Sequence, residues 1–255
     1  MGKTNTERFN DKAEIYQRYR ASYPKDLIDY LYSAVGFSNA SIIADIGSGT
    51  GIFSRLLLEK GNQVYCVEPN DDMRSVAERE LGCISGFYSV AAPAENTGLK
   101  EKSIDFITVA QAFHWFERRL FTLECRRILK DTGKAVLIWN IRDYKHDIVK
   151  KDLNIRKRYS VGDAKGLSSD QNPMDEYKGF FLNDKCDEMT FANNLCLKRN
   201  DYIGMNLSRS YAPAKEKNPE MYNGFVTDLA NLFDEYSSDG ILIYPHVTKC
   251  YIGGV

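Results

Sequence analysis

The acidic and glycine residues between positions 45 and 51 have the spacing of a ligand-binding loop. In the stretch "IIADIGSGTGIF", Asp45 ends an apolar run, and Gly47, Gly49 and Gly51 follow at every second position. Glycine lets the backbone approach a ligand closely, and an acid beside such a loop favours a ligand with a positive charge. The pattern therefore predicts a site for a cationic small molecule.

This loop differs from the two common phosphate-binding loops. A dinucleotide site has the pattern G-x-G-x-x-G, but Ile52 stands where its third glycine belongs, and Gly51 falls one residue early. No Gly-Lys-Ser/Thr follows, which excludes a Walker loop. The carboxylate of Asp45 would also repel a diphosphate. A dehydrogenase is therefore a distant alternative.

Glu68 adds a second requirement, because it ends the next apolar run, "QVYCV". A carboxylate at the end of a second parallel strand accepts hydrogen bonds from both hydroxyls of a ribose. Together with Asp45, it asks for a nucleoside with a positive head and no phosphate. S-adenosylmethionine meets these requirements, so we expect it to be the cofactor.

The elements that must position these residues follow a regular alternation of apolar runs. Runs of strand length alternate with runs of helical period, which predicts parallel strands joined by crossover helices. The fold class is therefore α/β, doubly wound, with ligands at the carboxyl ends of the strands. The expected strands span 41–46, 63–69, 86–92, 103–111 and 133–140, and the expected helices span 11–20, 24–35, 51–60, 71–81 and 120–131.

The second half of the chain is less regular, and one domain with a capping insertion is the simplest account. Residues 145–184 have few apolar runs, and this composition predicts a polar helix with loops over the core. Residues 187–197 alternate as a strand, 219–236 have helical period, and 241–254 give two short strand pieces. We therefore divide the domain, 1–255, into four segments: N-terminal helices (1–35), a cofactor-binding core (36–144), the capping insertion (145–184), and C-terminal strands with a helix that complete the sheet (185–255).

Composition narrows the possible partners. Lys and Arg number 34 against 35 Asp and Glu, so nucleic acid is not the default partner.

The apolar runs are too short to span a bilayer and the first residues lack an apolar signal core, so we expect a cytoplasmic protein without membrane contact. The six cysteines contain no CxxC pair, and His146 and His246 have no companions at ligand spacing, so we expect no metal.

Four stretches of the chain resemble successive motifs of class I S-adenosylmethionine-dependent methyltransferases. They are "ADIGSGTG", "VEPNDDM", "SVAAPAENTGLKEKSIDFITVAQAFHWF" and "RRILKDTGKAVLIW". "YRASYP" and "AQAFHWF" also resemble the small-molecule subgroup that includes trans-aconitate methyltransferase-like proteins, with Ala21 in place of a proline. The resemblance covers nearly the whole chain. It implies a Rossmann-like, mostly parallel, seven-stranded sheet with helices on both faces and a helical or loop cap.

The resemblance also implies which residues contact the cofactor. Tyr19 and Arg20 belong to a helix that closes over it, with Arg20 facing its carboxylate. The remaining positions are Asp45, Gly47, Ser48 and Gly49 at the methionyl end, Glu68 at the ribose, Pro69 and Met73 beside the adenine, Ala94 and Glu95 at the adenine amino group, and Gln111 at the methyl group.

The acceptor side has two interpretations. If the acceptor must lose a proton, His114 is the candidate catalytic base; a carboxylate acceptor needs no base. Aromatic faces stabilise a sulfonium, and Tyr19, Phe113 and Trp115 are candidates. The substrate-binding candidates are His114, Trp115, Arg142, Arg209 and Tyr211, the last three as clamps for an acidic acceptor.

Each of these residues also has a purely structural alternative. Asp45 alone would serve as a buried acid that caps the next helix. His114 and Trp115 fit a packed aromatic cluster at least as well as a catalytic site. Arg142 and Arg209 are typical of ordinary surface charges.

Three functional hypotheses follow. The leading one is an enzyme that methylates a small molecule, with a carboxylate oxygen as one candidate acceptor. A nucleic-acid or protein methyltransferase is second, because the Asn/Asp-Pro-Pro-aromatic loop typical of base amine methylation is replaced here by "AQAFHW". A non-catalytic module that binds S-adenosylmethionine is third, since fold does not imply function.

Overall fold

The computed structural model describes residues 22–161, 177, 179–209 and 212–255. The strands are β1 (Ile42–Ile46), β2 (Gln63–Val67), β3 (Phe87–Val90), β4 (Ile104–Ala110), β5 (Leu129–Arg142), β6 (Asp187–Ala192), β7 (Leu195–Lys198), β8 (Ile241–Tyr244) and β9 (His246–Gly253). The α-helices are α1 (Lys25–Tyr30), α2 (Ile52–Leu58), α3 (Asp71–Leu81), α4 (Arg118–Ile128), α5 (Asp147–Tyr159), α6 (Arg199–Leu207) and α7 (Pro219–Tyr236). A π-helical turn at Leu31–Val35 continues α1, and 3₁₀ turns lie at Phe113–Trp115 and Leu182–Asp184.

Seven strands form one sheet in the order β3-β2-β1-β4-β5-β9-β6. The first five are parallel neighbours, and β9 pairs antiparallel with both β5 and β6. Only β9 therefore runs against the others in this sheet. The predicted α/β class and the mostly parallel, seven-stranded sheet are confirmed.

Helices cover both faces of this sheet, and the alternation along β5 shows how. Ala135, Leu137 and Trp139 pack on one side with the apolar face of α4. Val136 and Ile138 pack on the other side with α1, α2 and the end of α3. Successive residues of a strand point to opposite faces, so a continuous apolar run fits a strand buried on both sides.

A third cluster lies outside the sheet and forms a cap. It joins α5, α6 and α7 to the two-stranded sheet β7–β8 through buried side chains such as Val149, Tyr202, Leu229 and Tyr244. The expected insertion 145–184 contributes α5 to this cap, but most of the rest comes from 195–244. Among the described residues of 185–255, β6 and β9 are the strands that complete the main sheet.

The remaining differences from the expected elements are local. The single strand expected at 187–197 is two strands, because β6 pairs with β9 and β7 pairs with β8. Helix α6 was not predicted, because its sequence is mostly polar and the buried Tyr202 and Met205 alone do not give a clear helical period. The helix expected at 11–20 lies outside the described residues. Among the helices of the described ranges, none combines the length and apolar character needed to cross a bilayer.

Candidate functional site

The glycine loop between β1 and α2 is held close to the neighbouring strands. The N–H groups of Gly47 and Ser48 donate to the carbonyl of Val67, at 2.8 and 3.1 Å. Gly47 has φ +67°, and a Cβ added there would lie 2.5 Å from the Cβ of Ala112. Only glycine combines this left-handed backbone with this close approach, so the loop leaves its backbone open at the sheet edge.

Asp45 lies beneath the loop rather than in it. Its carboxylate is buried and accepts hydrogen bonds from Ser54 Oγ at 2.5 Å and from Thr108 Oγ1 at 2.8 Å. Burial raises the pKa of this carboxyl to about 6, although the two hydroxyl donors lower it. Asp45 was expected at the methionyl end of the cofactor. In the structure, its two oxygens accept hydrogen bonds from the hydroxyls of Ser54 in α2 and Thr108 in β4. Asp45 therefore links α2 to β4 beneath the glycine loop.

Glu68 presents its carboxylate at the end of β2 and also fixes the loop. Its Oε2 accepts the N–H of Gly49 at 3.0 Å, and its Oε1 accepts the N–H of Asn70 at 2.9 Å. Burial raises the pKa of this carboxyl, against these two hydrogen bonds and the charge of Arg74. Asn70 in turn caps α3, because its side chain accepts the N–H of Met73 at 2.9 Å. The turn after β2 is therefore ordered by its own polar groups.

One cavity at the carboxyl ends of β1, β2 and β4 brings most of the expected cofactor residues together. Those that line it are Gly47, Gly49, Glu68, Pro69, Met73, Ala94, Glu95 and Gln111, together with Trp115, which was expected on the acceptor side. Asn70, Pro93, Ala110, Ala112 and Phe116 line it as well, and no individual role was predicted for them. Two features of the sequence could have indicated them: Asn70 stands at the N-cap position of a predicted helix, and Phe116 directly follows Trp115.

Gln111 enters this cavity through an unusual backbone. Its φ is +62°, a left-handed conformation that is uncommon for a residue other than glycine. Its N–H donates to the carbonyl of Ile138 at 2.9 Å, and its side-chain Nε2 donates to the carbonyl of Asn140 at 2.9 Å. Carbonyl groups near the end of β5 thus orient both the backbone and the side-chain amide of Gln111.

The expected aromatic and basic residues after β4 divide between the cavity and its surroundings. Phe113 is fully buried among aromatic rings, with its centroid 5.0 Å from that of Phe180. His114 is exposed, with its ring centroid 4.7 Å from that of Trp115, and it is not among the lining residues. Trp115 and Phe116 therefore form the aromatic wall of the cavity, whereas His114 is not among the described residues that line it.

Arg142 faces the cap rather than the cavity. Its Nε lies 3.8 Å from Oδ2 of Asp152, and its side chain is only 13% exposed. Asp152 is fully buried and accepts hydrogen bonds from Tyr202 and Tyr244, each at 2.7 Å, and from Arg156 at 2.8 Å. The charge expected to clamp an acidic acceptor thus belongs to a buried polar cluster.

The other expected residues lie at less direct positions. Arg209 follows α6 in the cap and is not among the residues that line the cavity. Ser48 lies in the glycine loop, and its buried Oγ has no hydrogen-bond partner among the described residues. Tyr19, Arg20 and Tyr211 lie outside the described residues.

Comparisons with known proteins agree with this geometry. Residues 44–137 match the family model of a methyltransferase domain. The chain is 34% identical over 135 residues to the uncharacterised methyltransferase Rv3342 of Mycobacterium tuberculosis, an alignment that covers 53% of each protein. The matched segment thus spans about half the length of this curated relative, and the same holds for the other curated methyltransferases at this identity.

Solved structures are similar over a longer part of the chain. A protein assigned as a type II methyltransferase in Anaeromyxobacter dehalogenans has a TM-score of 0.67 at 22% identity, over 92% of this chain and 98% of that chain. A SAM-dependent methyltransferase of Aquifex aeolicus has a TM-score of 0.51 at 15% identity, over 74% and 92%. At these identities the likeness is one of fold. Residues 44–137 thus match a methyltransferase domain, and the sheet that contains them has the Rossmann-like fold of solved methyltransferases.

Proposed function

We propose that this protein transfers the methyl group of S-adenosylmethionine to a small-molecule acceptor, with a carboxylate oxygen as the acceptor atom. The observation that carries this proposal is the single cavity shared by the glycine loop, the Glu68 carboxylate and the aromatic wall. The sequence resemblance to the trans-aconitate methyltransferase-like subgroup supports the choice of a small acidic acceptor.

The residues of the cavity fit this cofactor. The Glu68 carboxylate offers acceptors for the ribose hydroxyls, and Gly47 and Gly49 offer open backbone. Pro69, Met73 and Ala94 supply apolar surface suited to an adenine. No basic side chain lines the cavity within the described part of the chain, which agrees with a cofactor whose head is cationic and which carries no phosphate.

The chain's own contribution to methyl transfer is positioning and exclusion of water. The bound cofactor supplies a methyl group that its sulfonium already activates. Trp115 and Phe116 place aromatic faces beside the cavity, where such faces stabilise a positive charge. Gln111 is held by Asn140 at the rim and is the polar side chain placed to orient the reacting groups.

The protonatable groups at the cavity favour an acceptor that is already a nucleophile at neutral pH. Among the described lining residues, only Glu68 and Glu95 are ionisable. Both carboxylates accept backbone N–H groups, Glu68 from Gly49 and Asn70, and Glu95 from Glu117 at 2.7 Å. Carboxylates with these roles are poor candidates for removing an acceptor proton. An acidic acceptor needs no such step.

Calorimetric titration with S-adenosylmethionine and its demethylated product tests the cofactor site. We expect micromolar binding to the wild type and binding at least about tenfold weaker in Glu68→Ala, which corresponds to roughly 1.4 kcal/mol. Glu59→Ala is the matched control, because this exposed acid after α2 is remote from the cavity lining. A folded wild type that binds neither compound would overturn the proposal.

Methyl transfer itself is tested with radiolabelled cofactor and three classes of acceptor: small carboxylic acids, transfer RNA and a protein extract. Label in an ester of a small acid, removed by mild alkali, is the expected result. Alkali-stable label in RNA or protein would contradict the choice of acceptor but not the enzyme. Tight cofactor binding without transfer to any class would favour a non-catalytic module.

A further inference from the structure

Three arginines on α4 share one face of the molecule. Arg118, Arg119 and Arg126 lie on this helix with Thr122 and Leu123 between them, and all five line a second cavity with Gly179 and Phe180. We call this second cavity the α4 groove. It contains about 400 Å³ and is formed by different residues from those of the cofactor cavity.

The charges of the α4 groove are not neutralised within the described chain. Arg118, Arg119 and Arg126 make no ion pair with any described acid, and no described acid lines the groove. The neighbouring Arg127 shows the contrast, because its guanidinium donates two hydrogen bonds to Glu124, at 2.7 and 2.8 Å. The protein as a whole carries a formal net charge of −1, so this excess of positive charge is local.

The spacing of the arginines suits a ligand with more than one anionic oxygen. Residues seven apart on an α-helix lie on the same face, about 10 Å apart along the axis, and Arg119 and Arg126 have this spacing. Guanidinium groups on long side chains converge on such a gap and bind phosphate oxygens in pairs. Leu123 and Phe180 add an apolar wall to the same groove.

We propose that the α4 groove is a binding site for a phosphate-bearing ligand, separate from the cofactor cavity. A free phosphorylated compound and a lipid headgroup present the same phosphate chemistry. The exposed side chains of Leu120 and Leu123 lie beside the arginines on α4, at 49% and 52% exposure, and would contact the apolar part of either.

Isothermal titration with inorganic pyrophosphate tests this site in the full-length protein. We expect the wild type to bind, and Arg119→Gln/Arg126→Gln to bind at least about tenfold more weakly. Arg79→Gln/Arg199→Gln is the matched control, since it removes the same charge from two other exposed positions, on α3 and α6. Equal affinity in the two double variants, or no binding by the wild type, would overturn the proposal.

Two further arms locate the site and identify the source of the phosphate. Pyrophosphate affinity should be unchanged when S-adenosylhomocysteine is present at a saturating concentration; competition between the two compounds would place pyrophosphate in the cofactor cavity and overturn the proposal. Sedimentation with vesicles of phosphatidylcholine, with and without phosphatidic acid, separates the sources. Binding to phosphatidic acid that pyrophosphate competes away supports the site with a lipid ligand, and pyrophosphate binding alone supports it with a soluble one.

Discussion

The carboxylate of Glu68 accepts a hydrogen bond from the backbone N–H of Gly49 at 3.0 Å, which joins the end of β2 to the glycine loop after β1. The same carboxylate accepts the N–H of Asn70, so it orders both loops before any ligand binds. A group pre-positioned in this way binds its ligand without a further cost of ordering the loops. Glu68 therefore has both a structural role and the proposed role as a ribose acceptor.

Gly47→Ala should impair cofactor binding far more than Gly49→Ala. A Cβ at Gly47 would lie 2.5 Å from the Cβ of Ala112 and 3.0 Å from Phe116, whereas a Cβ at Gly49 meets nothing within 4 Å. Both residues have positive φ, so the backbone strain of about 1 kcal/mol is shared and the difference isolates the steric clash. Calorimetry should give at least about tenfold weaker binding for Gly47→Ala relative to Gly49→Ala. Equal affinities would show that the loop shifts freely.

Asp45→Asn should remove part of the pH dependence of stability. The folded pKa of Asp45 is about 6, above its ordinary value of 3.8, so the folded protein holds this proton more tightly than the unfolded chain. Its contribution is therefore fully present below pH 4 and is lost as the pH rises through 6, by roughly 3 kcal/mol. Asparagine stays neutral at every pH, so the variant should be the more stable protein above pH 6.

Urea unfolding of the wild type and Asp45→Asn at pH 4, 5, 6 and 7 measures this difference. The raised pKa of Glu68 gives a decline of the same sign, but it is present in both proteins and cancels in the comparison to first order. A wild type that is the more stable protein at pH 7 would contradict the prediction. It would mean that the ionised carboxylate is stabilised by its hydroxyl donors beyond its cost of burial.

Gln111→Gly and Gln111→Val should separate the side chain of Gln111 from its backbone. Glycine accepts φ +62° without strain, which offsets the lost hydrogen bond to Asn140, so Gln111→Gly should change the free energy of unfolding by less than about 1 kcal/mol while it weakens cofactor binding. Valine is β-branched and disfavours this φ, so Gln111→Val should lower the free energy of unfolding by about 1–3 kcal/mol. Chemical denaturation and calorimetry provide the two readouts. Unchanged cofactor affinity in Gln111→Gly would remove Gln111 from the proposed site.

Asp152→Ala should destabilise the cap strongly. The substitution removes the acceptor of Tyr202, Tyr244 and Arg156, and it leaves the buried guanidinium of Arg156 without its carboxylate. Breaking a buried pair from one side typically costs about 3–5 kcal/mol. Asp147→Ala, at an exposed position of the same helix, is the control and should cost less than about 1 kcal/mol. Similar urea midpoints for the two variants would show that the cluster contributes little to stability.

The sequence determined the parts of this protein whose signals are local. The order of apolar runs predicted β1 to β5 and the helices between them, because strand and helix periods are readable over a few residues. The spacing of Gly47, Gly49 and Glu68 predicted one cofactor site, since parallel strands end at the same edge of a sheet.

Tertiary structure decided what depends on residues far apart in the chain. The alternation of 187–197 predicts a strand, but only the competing partners β9 and β8 divide it in two. Arg142 ends β5 as an available cation in the sequence, and only the fold brings Asp152 beside it. Asp45 was predicted as a ligand contact, and only the fold shows that its carboxylate is buried and accepts hydrogen bonds from the hydroxyls of Ser54 and Thr108. A side chain's type limits the bonds it can form, and its neighbours in the folded chain select among them.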